Sequence, residues 1–155
     1  MNEQDPQPII VVDDDFDHLE FVVVTLTRAG YRCLGFTSAR AAFTHITQRP
    51  VALVVTDIFM PEMDGFEMLR FFRRARPDVP VITLSGEGRM TKDFYLECTK
   101  HLGAVAALRK PFDPHELTAI VAQHVGHRAN KSASDSLLKS EQPPTTFRET
   151  QNAKA

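Results

Sequence analysis

An unbroken apolar run that stops at a carboxylate constrains this chain most. Val51-Ala52-Leu53-Val54-Val55-Thr56 leads into Asp57, and Ile58-Phe59-Met60-Pro61-Glu62-Met63-Asp64-Gly65 follows. The run does not alternate between apolar and polar residues. It therefore reads as a strand covered on both faces, as parallel strands are. Asp57 stands at the carboxyl end, the edge at which open α/β sheets bind ligands. An ionised Asp there is solvated on one side and walled by protein on the other. That setting suits a nucleophile; an Asp that merely ends a strand is the plain alternative.

The same pattern recurs along the chain. Ile9-Ile10-Val11-Val12 is another continuous apolar run, and it ends in Asp13-Asp14-Asp15. A helix from Phe16 to Ala29 follows, with acids suited to its N-terminus and Gly30 to its stop. Phe16, Leu19, Val23 and Leu26 share one face at helical spacing. Val22-Val23-Val24-Thr25 is β-branched and favours a strand by propensity, but the end signals and the length favour a helix. Tyr31 to Phe36 is a short strand. Ser38 is the N-cap expected for a helix from Ala39 to Gln48, with Ala41, Ala42 and Ile46 available to the core. After the Asp57 strand, Asp64 or Gly65 opens a third helix to about Ala75. Phe66, Leu69 and Phe72 form its buried stripe, and Arg70, Arg73, Arg74 and Arg76 face outward as a solvated face.

Val81-Ile82-Thr83-Leu84 is a fourth strand, ending in Ser85-Gly86. Arg89 to Leu102 is a helix of weaker pattern, on which Phe94, Tyr95 and Leu96 suit either a docking surface or ordinary packing. Ala104 to Leu108 is the last strand, ending in Arg109-Lys110-Pro111-Phe112. Asp113 or Pro114 opens a final helix carrying Leu117, Ile120, Val121 and Val125. From Arg128 the composition turns to Ser, Lys, Gln, Pro, Thr and Asn, and residues 128–155 are expected to form a polar, disordered tail. Strand and helix thus alternate, which builds a parallel sheet with helices on both faces. The fold class expected is α/β, a doubly wound five-stranded parallel sheet of order 2-1-3-4-5 spanning residues 8–127. That order sets the ends of the first and third strands side by side, bringing Asp13 and Asp14 next to Asp57.

With 43% hydrophobic and 25% charged residues, a chain of 155 residues has material for one core. A net charge of −2 argues against general attraction to nucleic acid or an anionic membrane. Cys33 and Cys98 have no metal-binding spacing and suit a reducing compartment, and no stretch near the start resembles a secretion signal. No run is long enough to cross a bilayer. A cytoplasmic protein is the expectation. The six histidines are scattered, and none is assigned to a site.

The strand ends together carry Asp13, Asp14, Asp57, Ser85 and Lys110. Carboxylates gathered in one cleft must hold protons or bind a cation. Hard oxygen ligands with room for water suit Mg²⁺, which joins one or two carboxylates to a phosphoryl group. Asp57 then becomes a candidate nucleophile of the aspartyl-phosphate kind, with Mg²⁺ and Lys110 neutralising charge and Ser85 donating a hydrogen bond to a phosphoryl oxygen.

These residues resemble the receiver domain of two-component response regulators. The matching pieces are Val11-Val12-Asp13-Asp14-Asp15, Asp57 with Met60-Pro61-Glu62-Met63-Asp64-Gly65, Val81-Ile82-Thr83-Leu84-Ser85-Gly86, and Gly103-Ala104 through Lys110-Pro111-Phe112. The resemblance implies a flavodoxin-like, CheY-like fold and a stand-alone signalling switch rather than an enzyme. It implies that Asp57 accepts a phosphoryl group from a sensor histidine kinase or histidine phosphotransfer protein, and that a downstream protein reads the change. It implies Asp14, Asp57 and the Phe59 backbone carbonyl as Mg²⁺ ligands, with Asp13 acting through water. Ser85 would be the switch hydroxyl, Lys110 the phosphate partner, and the Lys110–Pro111 bond cis.

Ala107 departs from the pattern, because the family usually carries Tyr or Phe three residues before the lysine. Coupling through an inward-turning ring is therefore replaced by backbone shifts or other side chains. Phe59 is bulky where many relatives are polar, which would limit water access. No DNA-binding or catalytic output domain is expected after the receiver. Two other readings stand beside this one. A pseudo-receiver would dock constitutively. A phosphatase similar to the haloacid dehalogenases would use Asp13-x-Asp15, with the chemistry moved to Asp13.

Overall fold

The computed structural model describes residues 6–61, 63–86, 91, 97 and 99–125. The expected docking residues Phe94, Tyr95 and Leu96, together with the tail at 128–155, lie outside them. Five strands form one parallel sheet: β1 (Ile9–Val12), β2 (Cys33–Phe36), β3 (Leu53–Asp57), β6 (Val81–Ser85) and β7 (Ala106–Arg109). Its order is β2-β1-β3-β6-β7, which is 2-1-3-4-5 among the strands of that sheet. Between β3 and β6 lies a feature not expected from the sequence. Phe59–Met60 (β4) and Met63–Asp64 (β5) pair antiparallel as a two-residue hairpin just after Asp57.

β1 and β3 are buried at every position, so their lack of alternation reflects two covered faces. Ile9 and Val11 pack under α1 (Phe16–Arg28) and α4 (Pro114–His124). Ile10 and Val12 pack on the other side, under α2 (Ala39–Gln48) and α3 (Gly65–Ala75). Fully burying such side chains stabilises the fold by about 2 kcal/mol each. Val22 to Val24 lie in α1 as expected despite their strand propensity, and of the three only Val22 is fully buried.

The helix faces differ in detail from the sequence reading. α1 buries Leu19, Val22 and Leu26, while Phe16 is 46% exposed and Val23 only partly buried. Asp15 is the N-cap, so Phe16 is the first helical residue. α2 turns Ala39 inward with Ala42 and Ile46, and leaves Ala41 exposed. α3 buries Met68 with Leu69 and Phe72, and Phe66 is half-buried.

Two strands begin later than expected because the preceding helix ends claim the first residues. Gly30 takes φ +92°, and the Tyr31 amide still bonds to the Leu26 carbonyl at 3.1 Å. That is a glycine-closed helix end, and it delays β2 to Cys33. In the same way Ala104 donates to the Thr99 carbonyl at 2.9 Å, and β7 starts at Ala106. Arg76 is not part of a solvated face. Its guanidinium bonds Asp78 at 2.8 Å and the carbonyls of Ile46 and Arg49 at 3.0 and 3.2 Å, tying the end of α3 to the end of α2.

Gly65 opens α3 against the backbone of Ile58. A Cβ at this position would lie 2.1 Å from the Ile58 carbonyl oxygen and 2.4 Å from its Cα. Backbone atoms cannot yield as a side-chain tip can. Gly65→Ala is therefore expected to destabilise the protein by about 3 kcal/mol, the upper end for overpacking. At Gly86 a Cβ meets nothing within 4 Å, and Gly86→Ala should stay within about 0.5 kcal/mol of the parent. Denaturant titrations followed by circular dichroism check both; equal midpoints for the two variants would refute the steric argument.

Candidate functional site

Sheet register assembles the site. Val12 pairs with Thr56, so the next residues, Asp13 and Asp57, leave adjacent strands at the same level. Asp57 pairs with Leu84, which sets Ser85 one residue further along the neighbouring strand. Ser85 pairs with Arg109, and its carbonyl accepts the Lys110 amide at 2.7 Å. The Lys110–Pro111 peptide is cis, as expected.

Lys110 Nζ reaches Asp13 Oδ2 at 2.8 Å and Asp57 Oδ2 at 3.3 Å. The two carboxylates are buried, at 0% and 6% exposure. The other Asp57 oxygen, Oδ1, accepts the Phe59 amide at 3.2 Å. Asp13 Oδ1 accepts the Asp15 amide at 3.0 Å. Asp14 is exposed, and one carboxylate oxygen each from Asp13, Asp14 and Asp57 lie within 4.8 Å of one another. Ser85 is buried at the end of β6. Ala107 is half-buried on β7 opposite Thr83, so no aromatic ring projects from that place.

The two buried carboxyls are driven in opposite directions. Burial pushes Asp13 up, but hydrogen bonds from His18 and Lys110, the Lys110 charge and the Asp15 amide together hold it below its ordinary 3.8. Burial also pushes Asp57 up. The Lys110 charge pulls it back, the neighbouring Asp13 adds to the rise, and the net displacement is upward. Asp57 is thus the carboxylate whose negative charge is less well compensated. The donor set is hard oxygen, with two buried carboxylates and one facing water, and it can hold a divalent cation.

The sequence reading left His18 out of the site. Its Nδ1 bonds Asp13 Oδ2, the same oxygen that Lys110 binds. The available signal was its position three residues after the N-cap Asp15, where a side chain can fold back toward the strand end. The His18 amide donates to Asp15 Oδ1 at 3.0 Å. The Asp15 carboxylate is therefore engaged as a helix cap rather than turned into the cluster. Beside the acids, His18, Phe21, Lys110, Pro111 and Phe112 line an open groove of about 300 Å³.

Comparison with known proteins gives one consistent family. The family profile described as "Response regulator receiver domain" matches residues 9–122. The response regulator receiver protein CpdR of Brucella abortus is 36% identical over 78 residues, which cover 50% of this chain and 65% of CpdR. The response regulator protein FleR of Pseudomonas aeruginosa is 32% identical over 116 residues, covering 75% of this chain and 24% of FleR. This chain therefore spans less than two thirds of either relative. The crystal structure of the receiver domain of NtrX from Brucella abortus superposes with a TM-score of 0.70 at 27% identity, covering 76% of this chain and 97% of that domain.

The upward displacement of Asp57 yields a stability prediction. A carboxyl whose folded value lies above the unfolded one opposes folding once the pH exceeds that folded value, and does so no longer below 3.8. In chelator-treated protein near pH 7, Asp57→Asn is expected to raise Tm by roughly 2–4 °C. The difference should shrink as the pH falls toward 4. Added Mg²⁺ should stabilise the parent more than the variant. Paired melting curves across pH, with and without Mg²⁺, are the measurement; a variant less stable at neutral pH without metal contradicts the charge argument.

Proposed function

Because this chain belongs to the response regulator receiver domain family, we propose that it is a phosphorylation switch with Asp57 as the phosphoryl acceptor. The observation that supports this most directly is Lys110 Nζ placed between Asp13 and Asp57 at 2.8 and 3.3 Å. An Asp57 carboxylate oxygen attacks the phosphorus of a phosphohistidine on a kinase or phosphotransfer protein. The P–O bond forms as the P–N bond breaks, the imidazole departs, and an acyl phosphate remains on Asp57.

Asp14, Asp57 and the Phe59 carbonyl would hold Mg²⁺ directly, and Asp13 would hold it through water. When bound, that ion neutralises charge on the phosphoryl oxygens and aligns them. Lys110, a mobile point charge on a flexible stem, turns from the two carboxylates to the new phosphoryl group. Ser85, buried one residue beyond the partner of Asp57, supplies the hydroxyl that follows it. The Phe59 amide keeps its bond to the Asp57 carboxyl and holds the acceptor in place. With Ala107 on β7, the change is read out through backbone shifts or through side chains other than a buried ring. Among the described residues no helix is long and apolar enough to cross a membrane, and we infer action in the cytoplasm on a protein partner.

Incubation with acetyl phosphate and Mg²⁺ should add one phosphoryl group to the parent and none to Asp57→Asn, read by intact mass. If neither gains mass with small-molecule donors or with histidine kinases, constitutive docking becomes the better account, and Ala107 is the residue that favours it. Phe59 is half-buried two residues after Asp57, and in this reading its ring limits the access of water to the acyl phosphate. Phe59→Asn is accordingly expected to lose its phosphoryl group several-fold faster. An equal or slower loss, followed by mass over time after removal of the donor, rejects that role.

A further inference from the structure

Among the described residues, His18 bonds an acid of the edge and has no part in the proposed chemistry. It reaches the edge through a closed set of local bonds. The Asp15 amide donates to Asp13 Oδ1, the His18 amide donates to Asp15 Oδ1, and His18 Nδ1 bonds Asp13 Oδ2. An ionised carboxylate only accepts, so Nδ1 carries the proton in this contact. The ring is braced from outside the helix as well. Phe112 meets it edge-on at 5.7 Å between centroids, and Phe21, on the same helix, lies at 6.1 Å.

Asp13 Oδ2 thus has two donors of different kinds. Lys110 is a flexible ammonium shared with Asp57. His18 is a ring fixed by its helix and by two aromatic neighbours. Asp13 is 0% exposed with both donors in place, and a buried carboxylate short of donors is costly and free to turn.

We propose that His18 is a positioning residue for Asp13, orienting its carboxylate toward the metal's water shell while Lys110 serves Asp57. This rests on the phosphoryl-switch reading above for the movement of Lys110. The holding of Asp13 does not depend on phosphorylation. The partner that orients a carboxylate beside a metal site commonly contributes 10–100-fold to affinity.

The experiment compares three variants by their binding of Mn²⁺, measured on unphosphorylated protein from the electron paramagnetic resonance signal of the free ion. His18→Ala is expected to bind about tenfold more weakly. His18→Phe keeps a ring against Phe21 and Phe112 but has no donor, and should be as weak. His18→Asn places an amide N–H at the position of Nδ1 and should recover most of the affinity. In acetyl phosphate reactions the same loss should appear as a raised Mg²⁺ requirement, with a smaller effect on the rate at saturating Mg²⁺. Should His18→Phe bind like the parent, or His18→Asn be as weak as His18→Ala, the donor role is overturned. Failure of Asp57 to gain mass would reject the switch reading while leaving the Mn²⁺ comparison valid.

Discussion

A single ammonium group makes the acidic edge of this sheet tenable. Asp13 and Asp57 are nearly inaccessible to solvent and stand at the same level on neighbouring strands. In such surroundings their repulsion is weakly screened and neither keeps its hydration. Lys110 answers both, although it lies 97 residues from the first and 53 from the second. Its backbone is fixed independently by the bond from its amide to Ser85. Pairing the last strand with β6 therefore delivers the countercharge. Completion of the sheet and compensation of its charged rim are one structural event.

The compensation is uneven, and the unevenness is useful. Asp13 gathers three donors and is held ionised. Asp57 has one backbone amide and a longer share of the lysine, and its carboxyl is displaced upward. One acid thereby serves as a fixed anion. The other keeps electron density that a cation or an electrophile can relieve. Two of those donors, the Asp15 amide and His18 Nδ1, tie the start of α1 to the end of β1, so helix capping and charge placement use the same residues.

Much of this was legible in the amino-acid order. Runs such as Ile9–Val12 and Leu53–Asp57 carry no alternation because both faces are covered, and their terminal acids fall where the strands stop. Alternating strands and helices pointed to a doubly wound parallel sheet, and the order 2-1-3-4-5 within that class brings Asp13, Asp57 and Lys110 together. Detail within elements was less legible. Val22 replaces Phe16 in the buried stripe of α1 because the cap at Asp15 fixes the helix phase, which spacing alone does not. Tyr31 and Ala104 look like strand residues but complete the preceding helix ends. The Phe59–Asp64 hairpin has only two residues per arm, too short for any periodic signal. His18 and Arg76 resembled ordinary surface charges, since their partners are a folded-back carboxylate and backbone carbonyls from another helix.

The close approach at Gly65 has a mechanical consequence. With no room for even a methyl group between the first residue of α3 and the Ile58 backbone, the segment after Asp57 cannot slide past that helix. Ile58 is also joined to β6 through its amide, which donates to the Leu84 carbonyl at 3.1 Å. A displacement of the peptide beside Asp57 is passed by hard contact to the base of α3 and by hydrogen bonding to the tip of β6. Ile58 is thus held at two points, and both holds are made by main-chain atoms rather than by any side chain.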